Sequence, residues 1–216
     1  MKEEGLVLEN LVIGYHRRGE QIRVAGPLNE QVRPGEFVCL IGRNGTGKST
    51  LLRTLCGIIP PLSGTMRVPR HIAVVLTEKP RAKMFSVEDM VAMGRTPYTN
   101  FWGRLSTEDK TVVDAAIHRV GIDDLRDRKM GTLSDGERQK VMIAKALAQQ
   151  TSVILLDEPT AFLDYPSKSD LFRLLHELAH NERKAILAST HDLDQARPYT
   201  DRAILLGEPF EGSVMG

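Results

Sequence analysis

The stretch Gly42-Arg43-Asn44-Gly45-Thr46-Gly47-Lys48-Ser49-Thr50 constrains the fold of this chain more than any other. An apolar run, Phe37-Val38-Cys39-Leu40-Ile41, precedes it, and Leu51 to Cys56 follows with apolar residues at helical spacing. Strand, glycine loop and helix in that order are the setting of a phosphate-binding P-loop. Gly42, Gly45 and Gly47 let backbone N–H groups, with Asn44 among the binding residues, turn inward around phosphate oxygens, and the helix N-terminus adds its positive dipole end. Lys48 can reach the β- and γ-phosphates, Ser49 can ligate Mg²⁺, and Thr50 adds a contact nearer the α-phosphate. The bland alternative is an ordinary glycine-rich turn.

At 216 residues the chain fits one domain with room for a small inserted lobe. A net charge of +1 argues against broad nucleic-acid affinity, and no nucleic-acid partner is expected. Cys39 and Cys56 both fall in apolar patterns beside the P-loop and read as reduced core residues. No apolar run approaches the ~18 residues of a membrane span, and Met1-Lys2-Glu3-Glu4 opens no signal peptide. Any membrane role would run through a partner, from the cytosolic face.

Taken in order, residues 6–8, 11–13, 22–25 and 37–41 read as strands, separated by turns at Arg18-Gly19, Gly26-Pro27 and Pro34-Gly35. Tyr15 ends the second strand, placed either as a strand-end core aromatic or to stack on a base. A P-loop helix covers 51–58, and residues 66–68 and 72–76 are two further strands. Helical character begins at Ser86-Val87-Glu88-Asp89, which resembles a capping box, and continues from Ser106 to Val120. Between them, Gly94 to Trp102 has no element-forming period yet holds three aromatics, which either dock a partner or pack the lobe. After Leu133-Ser134-Asp135-Gly136-Glu137 come a helix from Arg138 to Gln150, an apolar strand at 153–156 and a helix with Pro166 at its first position. A strand at 185–188, a short helix at 192–198 and a strand at 203–206 close a βαβ-style pattern.

The chemistry of phosphoryl transfer to water calls for a phosphate cradle, Mg²⁺, a positioned water and a group that senses the terminal phosphate. Asp157, at the end of a buried strand, suits the Mg²⁺ shell, and Glu158 beside it suits a general base. His191, past the end of the next strand, suits contact with the γ-phosphate or the water. All three fall at strand carboxyl ends, where ligands gather in such sheets. The other five histidines read as structural.

These residues, in order and spacing, resemble the nucleotide-binding subunit of an ATP-binding cassette (ABC) transporter, over almost the whole chain. The features that carry the resemblance are the P-loop, Leu133 to Glu137, the Asp157-Glu158 strand, Ala161-Phe162-Leu163-Asp164 and His191. The resemblance implies an α/β P-loop NTPase fold with a mostly parallel sheet, an N-terminal antiparallel part and an inserted helical lobe. It implies one domain over 1–216, with a core at about 1–76 and 151–216 and a lobe at about 77–150. It further implies an ATPase using ATP and Mg²⁺, with Lys48, Glu158 and His191 catalytic and Tyr15 stacked on adenine. Ser134, Gly136 and Asp164 would meet the ATP of a second, head-to-tail copy. Ser49, Asp157 and a residue in place of the usual glutamine, Thr77 or Glu78, would hold the metal.

Besides the missing glutamine, two further departures are visible. Asp135 and Glu137 replace a glycine and a glutamine of the usual signature, and both are expected to point away from phosphate. The family domain also usually extends a few dozen residues further, so the chain reads as C-terminally truncated. Gly94-Arg95-Thr96-Pro97-Tyr98-Thr99 resembles a segment of importers for iron–siderophore, haem and cobalamin complexes. The implied partners are integral-membrane permease subunits docking near 77–102 and, indirectly, a substrate-binding protein. The implied location is the cytoplasmic face of the cell membrane. A soluble cassette ATPase without a permease is the alternative.

Overall fold

A computed structural model describes residues 5–17, 19–76, 82–99 and 104–207. Two sheets organise them. Strands β1 (Leu6–Arg17), β2 (Glu20–Val32) and β4 (Ser63–Arg67) form an antiparallel sheet in the order β2-β1-β4. Strands β3 (Phe37–Ile41), β5 (Ala73–Val75), β6 (Val153–Leu156), β7 (Ala185–Thr190) and β8 (Arg202–Leu205) form a parallel sheet in the order β5-β6-β7-β3-β8. Every residue of β6 and β7 is buried, as expected of central parallel strands covered on both faces.

The N-terminal sheet corrects two expectations. The strands expected at 6–8 and 11–13 are one strand. The polar Glu9-Asn10 step between them is a bulge, with the register shifting on either side and Asn10 at φ 49°. Asn29 steadies it, since its Oδ1 accepts from Asn10 N–H at 2.8 Å. Gly26-Pro27 is not a turn but lies inside β2. Because β2 is an edge strand, the N–H that proline lacks need not cost a ladder bond.

Six α-helices complete the described residues: α1 (Lys48–Leu55), α2 (Val87–Ala92), α3 (Thr107–Arg119), α4 (Asp135–Ala148), α5 (Tyr165–Glu182) and α6 (Leu193–Ala196). Helices α2 and α3 start with capping boxes, Ser86 with Asp89 and Ser106 with Asp109, so aspartate suffices in that role. Helix α4 begins three residues earlier than the apolar pattern suggests, because Ser134 and Glu137 form a third such box. Pro166 occupies the second position of α5, one later than expected, behind Asp164 as the capping residue. Among the described residues no helix is long and apolar enough to cross a bilayer.

Two buried clusters cover the parallel sheet. One joins β3 and α1 to the N-terminal strands through Leu11, Ile13, Leu40, Leu51 and Leu52. The other runs from Phe37 and Phe172 through β5 and β6 into α2, α3 and α4, taking in Met90, Ile117 and Ile143. The helical lobe therefore shares a continuous core with the sheet that carries the P-loop, and the two can shift only by repacking shared side chains.

The stretch from Gly94 forms an element where none was expected. Met93–Tyr98 is a 3₁₀-helix fastened by buried Arg95. Arg95 Nε donates to Asp109 Oδ1 at 2.8 Å, and Nη1 donates to the Ala148 carbonyl and to Gln150 Oε1. Its guanidinium also lies 4.0 Å from the Tyr98 ring centroid, and Tyr98 Oη donates to the Gln149 carbonyl. No regular period marks the segment because single side chains hold it. Glycine at 94 is a packing requirement, since a Cβ there would sit 2.4 Å from the Lys145 carbonyl oxygen. Thr77, Glu78, Phe101 and Trp102 lie outside the described residues.

Candidate nucleotide site

The P-loop joins β3 to α1 at the carboxyl edge of the parallel sheet. Gly47 caps α1 at φ 103°, a conformation that suits glycine, and a Cβ there would come within 2.6 Å of Val24 Cγ1. Lys48, the first residue of α1, is buried and folds back over the loop. Its Nζ donates to the Gly42 carbonyl at 2.7 Å and lies 3.4 Å from the Arg43 carbonyl and 3.6 Å from Glu158 Oε1. Tyr15 stands beside the same helix, 40% exposed, with its hydroxyl 2.8 Å from Thr50 Oγ1. The ring is thus tethered at its polar tip and keeps an accessible face. A purely buried strand-end aromatic does not describe it.

Strands β6 and β7 bring the acidic residues to the same edge. Asp157 Oδ1 accepts from Ser49 Oγ at 3.1 Å and from Ser189 Oγ at 2.8 Å. Ser189 also accepts from the Glu158 N–H at 2.8 Å. This fully buried serine, which no sequence motif singles out, ties the Asp157 carboxylate to the Glu158 backbone. Its place at the end of an apolar run, two residues before His191, is the available signal. Glu158 sits at φ 47°, a strained conformation for a residue with a side chain. Its Oε2 lies 2.8 Å from His191 Nδ1. Lys48, Glu158 and His191 therefore form one chain of contacts, and Ser49 meets Asp157 beside it.

The donor set fits the groups this chemistry needs. A glycine loop at a helix N-terminus with a buried lysine provides an anion cradle. A hydroxyl and a buried carboxylate in contact, both hard oxygen donors, suit Mg²⁺.

The signature residues lie elsewhere. Ser134 and Gly136 border a cleft of about 590 Å³ whose other walls include Ile122, Lys140, Leu163 and Asp164. No P-loop residue lines it. Both substituted carboxylates are engaged. Glu137 accepts from the Ser134 N–H at 2.7 Å and from Arg128 at 3.3 Å, and Asp135 pairs with Arg138. The Ser134 N–H and hydroxyl, with Arg128 assisting, hold the Glu137 carboxyl below its ordinary range. Asp164 caps α5 by accepting from the Ser167 N–H, and the Ser167 side chain together with that N–H holds its carboxyl below the ordinary range.

Among the other histidines, His176 and His180 stack with ring centroids 4.0 Å apart and bond within the fold, and His118 pairs with Asp123 at the surface. Cys39 is fully buried, and burial pushes its thiol up to about 11 despite a hydrogen bond from Thr200. Cys56 is half-buried and packs against the edge of the core.

Comparison with known proteins decides the family. The model described as ABC transporter matches residues 26–161. The chain belongs to the ABC transporter ATP-binding family. The ABC transporter ATP-binding protein MJ0873 of Methanocaldococcus jannaschii is 39% identical over 214 residues, covering 93% of this chain and 72% of that one. The ferric enterobactin transport ATP-binding protein FepC of Escherichia coli is 37% identical over 213 residues, covering 93% and 77%. The cobalamin import ATP-binding protein BtuD of Halobacterium salinarum is 38% identical over 199 residues, covering 86% of this chain but only half of that one. Among solved structures, a metal-chelate type ABC transporter in an inward-facing conformation superimposes with a TM-score of 0.85 at 32% identity, covering 94% of this chain and 80% of that one. The chain is thus an ATPase cassette with the family's α/β fold.

Proposed function

We propose that this ATPase cassette works in an importer, coupling ATP binding and hydrolysis to uptake of an iron-chelate or cobalamin-type substrate. The observation that carries the enzymatic part is the convergence of Lys48, Glu158 and His191, with Ser49 on Asp157 beside them. In this reading Gly42, Asn44, Gly45, Gly47, Lys48, Ser49 and Thr50 bind the phosphates, and Tyr15 stacks on adenine. Ser49 and Asp157 hold Mg²⁺, with Thr77 or Glu78 contributing a further ligand. The metal, when bound, neutralises charge building on the transferred phosphoryl group. Glu158 Oε1 orients water and accepts its proton while His191 holds the carboxylate by Oε2.

The site is shared by two copies. Support comes from the signature cleft, which holds Ser134, Gly136 and Asp164 but no P-loop residue. A second copy placed head to tail brings these residues to the ATP of the first. Each chain then carries half of two sites, and ATP acts between them.

The substrate class rests on the relatives named for ferric enterobactin and cobalamin and on the metal-chelate type transporter. Permease contact is assigned to the region 77–102. Exposed Met84 and Phe85 support this, because large apolar side chains left in water favour a protein partner. The protein acts at the cytoplasmic face of the membrane through that permease, and a substrate-binding protein feeds the complex from the other side.

Affinity capture from gently solubilised native membranes tests the importer reading. A stoichiometric membrane protein of many helices, identified by mass spectrometry, is the expected companion. Recovery of the protein entirely without one would contradict the reading and favour a soluble cassette ATPase.

A further inference from the structure

Behind the reacting edge, three side chains outside the recognised motifs converge. Asp192 directly follows His191, and its Oδ2 accepts from Lys168 Nζ at 2.8 Å and from Thr160 Oγ1 at 3.3 Å. Lys168 belongs to the first turns of α5, and fully buried Thr160 lies two residues beyond Glu158. The Lys168 and Asp192 side chains are 18% and 17% exposed, so the pair is mostly shielded from solvent. Burial alone would raise the Asp192 carboxyl, but Lys168, His191 and Thr160 outweigh it and hold the group below its ordinary value.

One carboxylate thus joins three pieces of chain: the loop leaving β6, the start of α5 and the loop leaving β7. The first and last carry the two halves of the Glu158–His191 hydrogen bond. Glu158 itself has a left-handed backbone, which persists only where surrounding contacts over-determine it. The Thr160 tether and the Ser189 bond to the Glu158 N–H grip that loop on either side of the strained residue.

We propose that Lys168 and Asp192, with Thr160, form a positioning clasp that holds Glu158 and His191 in register for ATP hydrolysis. The clasp rests on the reading of Glu158 and His191 given above. Lys168 and Asp192 are positioning residues, since they act through Glu158 and His191 and touch neither phosphate nor water. Loss of the clasp lets the two loops drift apart while the nucleotide cradle on α1 stays intact. Small misplacements at a reacting centre cost rate far more than they cost binding.

The test is steady-state ATPase kinetics with thermal melting on Lys168→Met, Lys168→Arg and the double variant Lys168→Met/Asp192→Asn. The double variant removes both charges and so leaves no uncompensated carboxylate in the fold. The clasp predicts a fall in kcat of about tenfold in Lys168→Met and in the double variant, with KM near wild type in both, Tm near wild type in the double variant, and recovery in Lys168→Arg. Wild-type kcat in the double variant would overturn it, as would kcat, KM and Tm failing together with no recovery by arginine. Glu158→Gln, assayed alongside, separates the two layers. Full turnover in that variant would overturn the site assignment and the clasp with it. A dead Glu158→Gln beside fully active Lys168 variants would overturn the clasp alone.

Discussion

His191 Nδ1 and Glu158 Oε2 are 2.8 Å apart, joining the loop after β7 to the loop after β6. An ionised carboxylate can only accept, so the bond places a proton on Nδ1. Glu158→Gln is expected to lower kcat by about 10²–10⁴-fold while ATP still binds. His191→Ala should also slow turnover, by about 10²-fold, since it removes the partner that orients the carboxylate. Phosphate-release assays beside equilibrium ATP binding check both.

Tyr15 offers a face while its hydroxyl is tethered to Thr50. Tyr15→Ala should weaken ATP binding by about 1–3 kcal/mol, the usual worth of a base stacked on an aromatic. Tyr15→Phe keeps the ring and should fall between wild type and alanine. A fluorescent ATP analogue titrated against the three proteins reads the order.

The box formed by Ser134 and Glu137 starts α4 beside the signature cleft. Glu137→Ala should destabilise the protein by about 1 kcal/mol, whereas Glu137→Gln, which still reaches the Ser134 N–H, should cost less. The same logic gives a pH dependence. Glu137 and Asp109 both titrate lower in the folded chain, Asp109 at about 2 through its Ser106 hydrogen bonds and Arg95. A depressed carboxyl adds stability above its unfolded pKa and loses it as pH falls through the folded value. The Tm difference between wild type and Asp109→Asn should therefore hold from neutrality to about pH 4 and shrink toward about pH 2. Melting curves over that range test the sign.

Cys39 is sealed in the sheet with its thiol pushed up to about 11, whereas Cys56 is partly open. In the native protein a thiol reagent should label Cys56 first and reach Cys39 only on unfolding. Peptide mapping after short and long exposure separates the two.

Gly94 packs the 3₁₀-helix against α4. Gly94→Ala forces a Cβ onto the Lys145 carbonyl and should cost about 1–3 kcal/mol, read by urea denaturation.

The site was legible where chemistry demands fixed residue types at fixed spacing. Gly42 to Thr50, Asp157, Glu158 and His191 all reach one sheet edge because a P-loop and strand ends leave few alternatives. The parallel sheet was legible for a related reason, as buried strands such as 153–156 read as unbroken apolar runs. What sequence hid was held by single contacts. Ser189 looks like any small strand residue until its hydroxyl is seen bonded to the Asp157 carboxylate and the Glu158 N–H. Arg95 has no period, yet it anchors a 3₁₀-helix through partners 14, 53 and 55 residues away. The bulge at Asn10 looks like a break in the sequence because polarity does not separate a bulge from a turn.

In the proposed function, one ATP site needs two copies of this chain. Light scattering on size-fractionated Glu158→Gln protein, with and without Mg-ATP, tests it most directly. The expected result is the mass of one chain without nucleotide and of two chains with it, reverting when Ser134→Arg fills the signature cleft. A Glu158→Gln protein that binds ATP and keeps the mass of one chain at high concentration would contradict it.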